Sequence, residues 1–210
     1  LKLDINTEIK KEQGIQKKSP LQLFQDKRAF FTYSIWIISI LNMLSLYFLA
    51  NWLPTLSKES GLSLNQALLI GSTLQLGGTL GTIVMGLKIE KSGFYKVLIP
   101  IFIVASISVA LIGYAVSHVG LLFMIIFIAG FAIVGGQPVI NALSASYYPV
   151  SLRTTGIGWS IGIGRLGSVI GPLFGGYLSK SMDISLLFVV ACIPSLLIVV
   201  ALMIQRKYTQ

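Results

Sequence analysis

Six stretches of nearly unbroken apolar residues limit what this chain can become. They fall at about residues 29–52, 64–87, 97–116, 120–144, 155–178 and 186–204. Each is close to the ~20 residues an α-helix needs to cross the hydrocarbon of a bilayer. Strands of a membrane barrel are about half as long and alternate in polarity, so a barrel is excluded. The expected fold class is an all-α membrane protein of six transmembrane helices. A polar linker segment, 1–28, precedes the bundle and a short tail, 205–210, follows it. Within the linker, Ser19-Pro20 has the form of a helix start, with a serine cap and proline at the first helical position. A short helix through Leu21, Leu23 and Phe24 is expected to lead into the first span.

The charges agree with a bilayer rather than with water. Only 11% of the residues are charged and 54% are hydrophobic, where a soluble domain carries about a quarter charged residues. The net charge of +9 would suggest nucleic acid in a soluble protein. Here the cations gather between the apolar runs, so no nucleic-acid partner is expected. Of the 16 Lys and Arg, only Lys58 and Lys180 lie in connections on one side, and Arg165 lies inside a run. The others occupy the linker, the connections around 88–96 and 145–154, and the tail. Basic residues stay on the cytoplasmic side, so both termini are expected there, in a cell membrane. Trp52, Tyr47 and Tyr177 fall near the outer ends of runs, where interfacial aromatics sit. Cys192, the single cysteine, allows no internal disulfide and no metal cluster. The chain has no initiator Met, which points to a piece of a longer protein.

Small residues recur every fourth position inside the runs. Gly77 and Gly81, Gly158 and Gly162, and Gly167, Gly171 and Gly175 all follow this spacing, which lets helix backbones approach closely. Pro172, after Gly171, permits bending.

Polar residues also enter the spans in register. Ser72, Gln75, Thr79 and Thr82 form one stripe. Asn42 lies between Ser39 and Ser45, and Gln137 and Asn141 are four residues apart. Arg165 shares a helical face with Gly158 and Gly162. Such faces meet each other or a watery cavity, because lipid does not solvate them. Arg165 is the extreme case, since an arginine at mid-span costs about 2.5–3.5 kcal/mol on insertion scales. The six runs contain no Asp, Glu or His. Its partner must be backbone, water, an anion, or an acid outside these runs. His118 falls at a short outer turn and is expected to be a solvated residue without a coupling role. No nucleophile–base pair, metal cluster or phosphate loop is visible, so an enzyme is not expected.

Two sets of residues carry a family resemblance. The segment GLKIEKSGFYKV, Gly86 to Val97, resembles the signature loop of the major facilitator superfamily through Gly86, Glu90, Lys91, Gly93 and Lys96. Glu90 stands where Asp is more usual, and Tyr95 takes a position often basic. The segments YYPVSLRTTGIGWSIGIGRLGSVIGPLFGG (Tyr147 to Gly176) and YFLANWLPTL (Tyr47 to Leu56) resemble the aromatic acid:proton symporter family and its metabolite:proton relatives. The resemblance covers about residues 20–205 and implies the second six-helix half of a twelve-helix transporter. It implies a missing N-terminal half as partner, a small organic carboxylate as substrate and a proton as coupling ion, with no other cofactor. The membrane carboxylates implicated in proton coupling belong to the first helix of that other half.

On this reading Arg165 attracts the carboxylate or pairs with an acid of the missing half. Asn42, Gln75, Gln137 and Asn141 contact polar substituents, and Trp159 or Tyr33 contacts a ring. The signature residues act at the cytoplasmic gate. Two alternatives stand beside a benzoate-like substrate: a muconate- or shikimate-like metabolite, and a membrane module that assembles without transporting.

Overall fold

The computed structural model describes residues 19–59 and 61–209. Six helices within them are long and apolar enough to cross a membrane. They are α1 (Ala29–Glu59), α2 (Leu64–Ser92), α3 (Phe94–Ala115), α4 (Val119–Tyr147), α5 (Val150–Leu178), and a sixth span made of α6 (Ile184–Ala191) and α7 (Ile193–Thr209). The sixth span divides at Cys192, two residues before Pro194, which has no N–H to give to the preceding turn. Linker residues 1–18 lie outside the described residues. The tail continues α7 as helix to Thr209.

Local chemistry sets the ends. Ser63 caps α2, accepting from the Gln66 N–H while the Gln66 side chain accepts from the Ser63 N–H, a reciprocal pair that satisfies two orphan donors. At the other end Gly93 has φ +80°, a conformation that side chains oppose. This one residue separates α2 from α3. Glu90 and Lys91 therefore stand on the last turns of α2 and not in a loop, because the helix continues past the apolar run.

The N-terminal entry is tied down by a buried knot. Pro20–Phe24 forms a short 3-10 helix, and Leu23 is fully buried. Thr32 Oγ1 bonds the Leu23 carbonyl at 2.8 Å and receives Tyr148 Oη at 3.0 Å. Tyr148 lies in the α4–α5 corner, and burial raises its phenol pKa above the ordinary value. It therefore stays a neutral donor.

Two helix pairs are the most extensive contacts, α2 with α4 and α1 with α5. Both are built on glycine. A Cβ on Gly77 or Gly81 would strike the carbonyls of Phe127 or Phe131, and one on Gly130 that of Leu74. On α5, a Cβ at Gly167 or Gly171 would strike the carbonyls of Ile40 or Leu44, and Gly175 lies under the Trp52 ring. Trp52 also ties the pair together, its Nε1 donating to the Pro172 carbonyl at 2.8 Å. The contacts also repeat. Exchanging the first three spans for the last three turns α1–α5 into α4–α2, and α3–α4 into a contact of the sixth span with α1, all of which are present. This is the signature of an inverted repeat of three helices.

Gly158 and Gly162 differ from the other glycines. Nothing lies within 4 Å of a Cβ at either, so they pack no helix here. Changing Gly167 to Ala is expected to destabilise the fold by about 1–3 kcal/mol through overpacking. Gly162→Ala should be neutral or slightly stabilising, since Ala is the better helix former. Thermal unfolding of the two purified variants in detergent checks the contrast.

Candidate functional site

Arg165 stands at mid-helix on α5 and its side chain is exposed. Its Nη1 donates to Tyr47 Oη at 3.1 Å. No acid among the described residues pairs with it; the one salt bridge there joins Arg28 to Asp26 at 2.8 Å. Tyr47 lies well inside α1, which continues to Glu59. The sequence reading put Tyr47 at the membrane interface because the apolar run fades at 52, and so missed it as the arginine's partner. A phenol within a span needs a polar partner, and that is the signal that points to it.

The face that Arg165 shares with Gly158 and Gly162 carries a shallow, open hollow of about 470 Å³, lined on α5 alone by Thr154, Thr155, Gly158, Trp159, Gly162 and Ile163. The bare glycines create this room. Arg165 lies seven residues beyond Gly158, about 10 Å further along the axis. Thr154 and Thr155 line one end of the hollow, and Arg165 follows on the helix just beyond Ile163 at the other.

Trp159 lines the hollow and stacks on Trp36, with centroids 6.0 Å apart and planes 25° from parallel. Tyr33 meets the same Trp36 edge-on at 6.2 Å, and Phe24 does so at 5.5 Å. Tyr33 and Trp159 thus belong to one aromatic group, joined through Trp36. Tyr33 also borders a separate apolar hollow with Phe30 and Ile204.

The amides form another group. Asn42 Nδ2 donates to Gln137 Oε1 at 2.7 Å and to the Ile133 carbonyl at 3.3 Å, and Gln137 Nε2 donates to Asn141 Oδ1 at 3.3 Å. Asn42 is completely buried and Gln137 nearly so. In this arrangement Asn42 presents nothing to a ligand and fastens α1 to α4, which departs from the contact role expected of it. Around it, Asn42 Oδ1, Ser39 Oγ and Ser45 Oγ are enclosed without a partner among the described residues. Gln75 is exposed on α2. The Thr79 and Thr82 hydroxyls of its stripe bond carbonyls of their own helix. The seven residues expected at one site therefore divide into the arginine face of α5 with its aromatics, a buried amide chain, and an isolated Gln75.

At the signature segment, Glu90 and Lys91 are exposed. Glu90 makes no ion pair or hydrogen bond among the described residues. His118 is exposed before α4. No group of His, Cys, Asp and Glu there could hold a metal ion.

Six spans whose contacts repeat after three helices have the architecture of one half of a twelve-helix membrane fold. The chain belongs to the Major Facilitator Superfamily, whose sequence profile matches residues 35–210. It is 33% identical to a gallate transporter of Pseudomonas putida, over 88% of this chain and 41% of that protein. It is 34% identical to a benzoate transport protein of Acinetobacter baylyi, over 78% of this chain and 35% of the relative. It is 33% identical to the 4-hydroxybenzoate transporter PcaK of the same organism, over 92% and 43%. The chain spans less than half the length of these relatives.

Removing the Asn42 amide strands the Gln137 acceptor in an apolar setting. Asn42→Ala is expected to lower stability by about 1–3 kcal/mol, seen as an earlier unfolding transition in detergent.

Proposed function

We propose that this chain is the C-terminal half of a secondary active transporter that takes up a small aromatic carboxylate, coupled to protons, in the cell membrane with both termini cytoplasmic. The observation that carries the reading is Arg165. It is a guanidinium half-way along α5 with a neutral partner, adjoining an open hollow on the same helix that Trp159 borders. A carboxylate binds a guanidinium through two parallel charge-assisted hydrogen bonds. The ring of the acid would lie against Trp159, whose face is held by Trp36. The relatives named for gallate, benzoate and 4-hydroxybenzoate support an aromatic acid over a muconate- or shikimate-like one.

The rest of the cycle requires the other half. Within the spans the one Asp, Glu or His is Glu90, on the last turns of α2, so a carboxylate or histidine proton carrier at mid-span would come from the other half. Thr154 and Thr155 are suited to the polar substituents of a ring. Glu90, unpaired at the end of α2, is suited to the positive N-terminus of a facing helix, and would hold the cytoplasmic side shut until the halves rock apart.

The test is binding of labelled 4-hydroxybenzoate to the purified full-length protein. Arg165→Lys keeps the charge and loses the fork, and should weaken binding about tenfold. Arg165→Ala should weaken it about a hundredfold, the range of a hydrogen-bonded charge. Tyr47→Phe should cost less than either, because the charge stays. Unchanged affinity in Arg165→Ala would sink the reading. Competition by benzoate but not by cyclohexanecarboxylate would fix the aromatic preference.

Glu90→Gln should leave equilibrium binding within about twofold while slowing counterflow in proteoliposomes by tenfold or more, since a helix-terminus contact of ~1 kcal/mol or more is lost from only one conformation. Wild-type turnover in that variant would remove Glu90 from the gate.

A further inference from the structure

A second hollow lies on a different side of the bundle. It has a volume of about 280 Å³ and sits between α2, α3 and α4. Val84, Pro100, Ile101, Val104 and Phe131 give it an apolar floor and walls, and Lys88 and Lys96 stand at one end. Both lysines are exposed, and neither has an ion pair or hydrogen bond among the described residues. No acidic side chain lines the hollow. On α2, Val84 is nine residues from Gln75, about half a turn of rotation away. The hollow therefore faces away from the polar stripe.

Depth adds to this. Lys88 lies in the last turns of α2 and Lys96 in the first turn of α3, on either side of the Gly93 turn. Val104 lies two turns deeper on α3. The site is thus charged at the membrane surface and apolar below it. Pro100 contributes as well, because it has no N–H to return to the Lys96 carbonyl, leaving one more polar atom at the charged end.

We infer that this hollow is a binding site for an anionic phospholipid, its phosphate between Lys88 and Lys96 and one acyl chain along Val84, Ile101, Val104 and Phe131. Charge complementarity selects the headgroup: two ammonium groups without an ion pair among the described residues, in a hollow that no acid lines, attract an anionic lipid over a zwitterionic one. Basic pockets between transmembrane helices commonly bind anionic headgroups. The two lysines come from helices joined by a single glycine, so a bound phosphate would link the ends of α2 and α3 beside Glu90.

Native mass spectrometry of the full-length protein tests this, with phosphatidylglycerol and phosphatidylcholine of equal chain length as probes. Phosphatidylglycerol should give adducts that survive collision energies removing phosphatidylcholine. Lys88→Gln with Lys96→Gln should weaken its binding about thirtyfold, from about 1 kcal/mol for each lysine near the surface. Lys88→Arg with Lys96→Arg should retain it and shows that the site still folds. Val104→Trp, which fills the hollow and keeps both charges, should also weaken it at least fivefold. Lys58→Gln with Lys180→Gln, at the opposite side, should change nothing. Equal retention of the two lipids, or normal binding in the double glutamine variant, would overturn the proposal. So would normal binding in Val104→Trp, or full displacement by millimolar glycerol phosphate, which would make the occupant a free phosphate compound.

Discussion

Everything in this bundle depends on backbone meeting backbone. In a bilayer a helix gains nothing by hiding leucine from lipid, since lipid tails are as apolar as leucine. Attraction between spans has to come from close contact and from hydrogen bonds. Glycine supplies the contact at α2–α4 and α1–α5, where a single added methyl would strike a facing carbonyl at Gly81 or Gly167. The Asn42–Gln137 bond at 2.7 Å then joins the two pairs, linking α1 of one to α4 of the other. The buried amides are better understood as fasteners between helix pairs than as surfaces for a ligand.

The same residue type has opposite uses on the two sides of α5. Gly164, Gly167, Gly171 and Gly175 point toward α1 and admit its backbone or the Trp52 ring. Gly158 and Gly162 point away and meet nothing. One side is glycine because another helix is there; the other side is glycine and open, next to the arginine. Interleaving the two patterns on one helix lets α5 be locked into its own half while keeping a free face for the hollow.

Much of this was legible from residue order. Six spans followed from run length, because bilayer thickness admits few alternatives. The close-packed role of Gly77, Gly81, Gly167, Gly171 and Gly175 followed from spacing. Spacing did not tell the packed set from the open pair Gly158 and Gly162, since a four-residue repeat marks a face without saying what covers it. Tyr47 was hidden for a related reason: hydropathy falls before the helix ends, so a residue well inside α1 looked peripheral. The Asn42–Gln137 bond joins residues 95 positions apart, a separation that no local pattern reports. The Glu90 segment read as a loop because charge marks a membrane boundary, while helices continue beyond that boundary until something such as Gly93 stops them.

Arg165 is held by a phenol and not by a carboxylate, and this has an electrical consequence. Tyr47 orients the guanidinium without cancelling it, so half-way along α5 a full positive charge stands with no acid beside it among the described residues. A docked carboxylate would make that region neutral. The membrane potential exerts about 2.3 kcal/mol per 100 mV on one charge carried across the whole bilayer, and some fraction of that on a charge that only shifts within it. Within these six helices, then, voltage acts on the guanidinium while it stands alone and on no net charge once an anion, whether a ligand or an acid from outside these spans, sits against it.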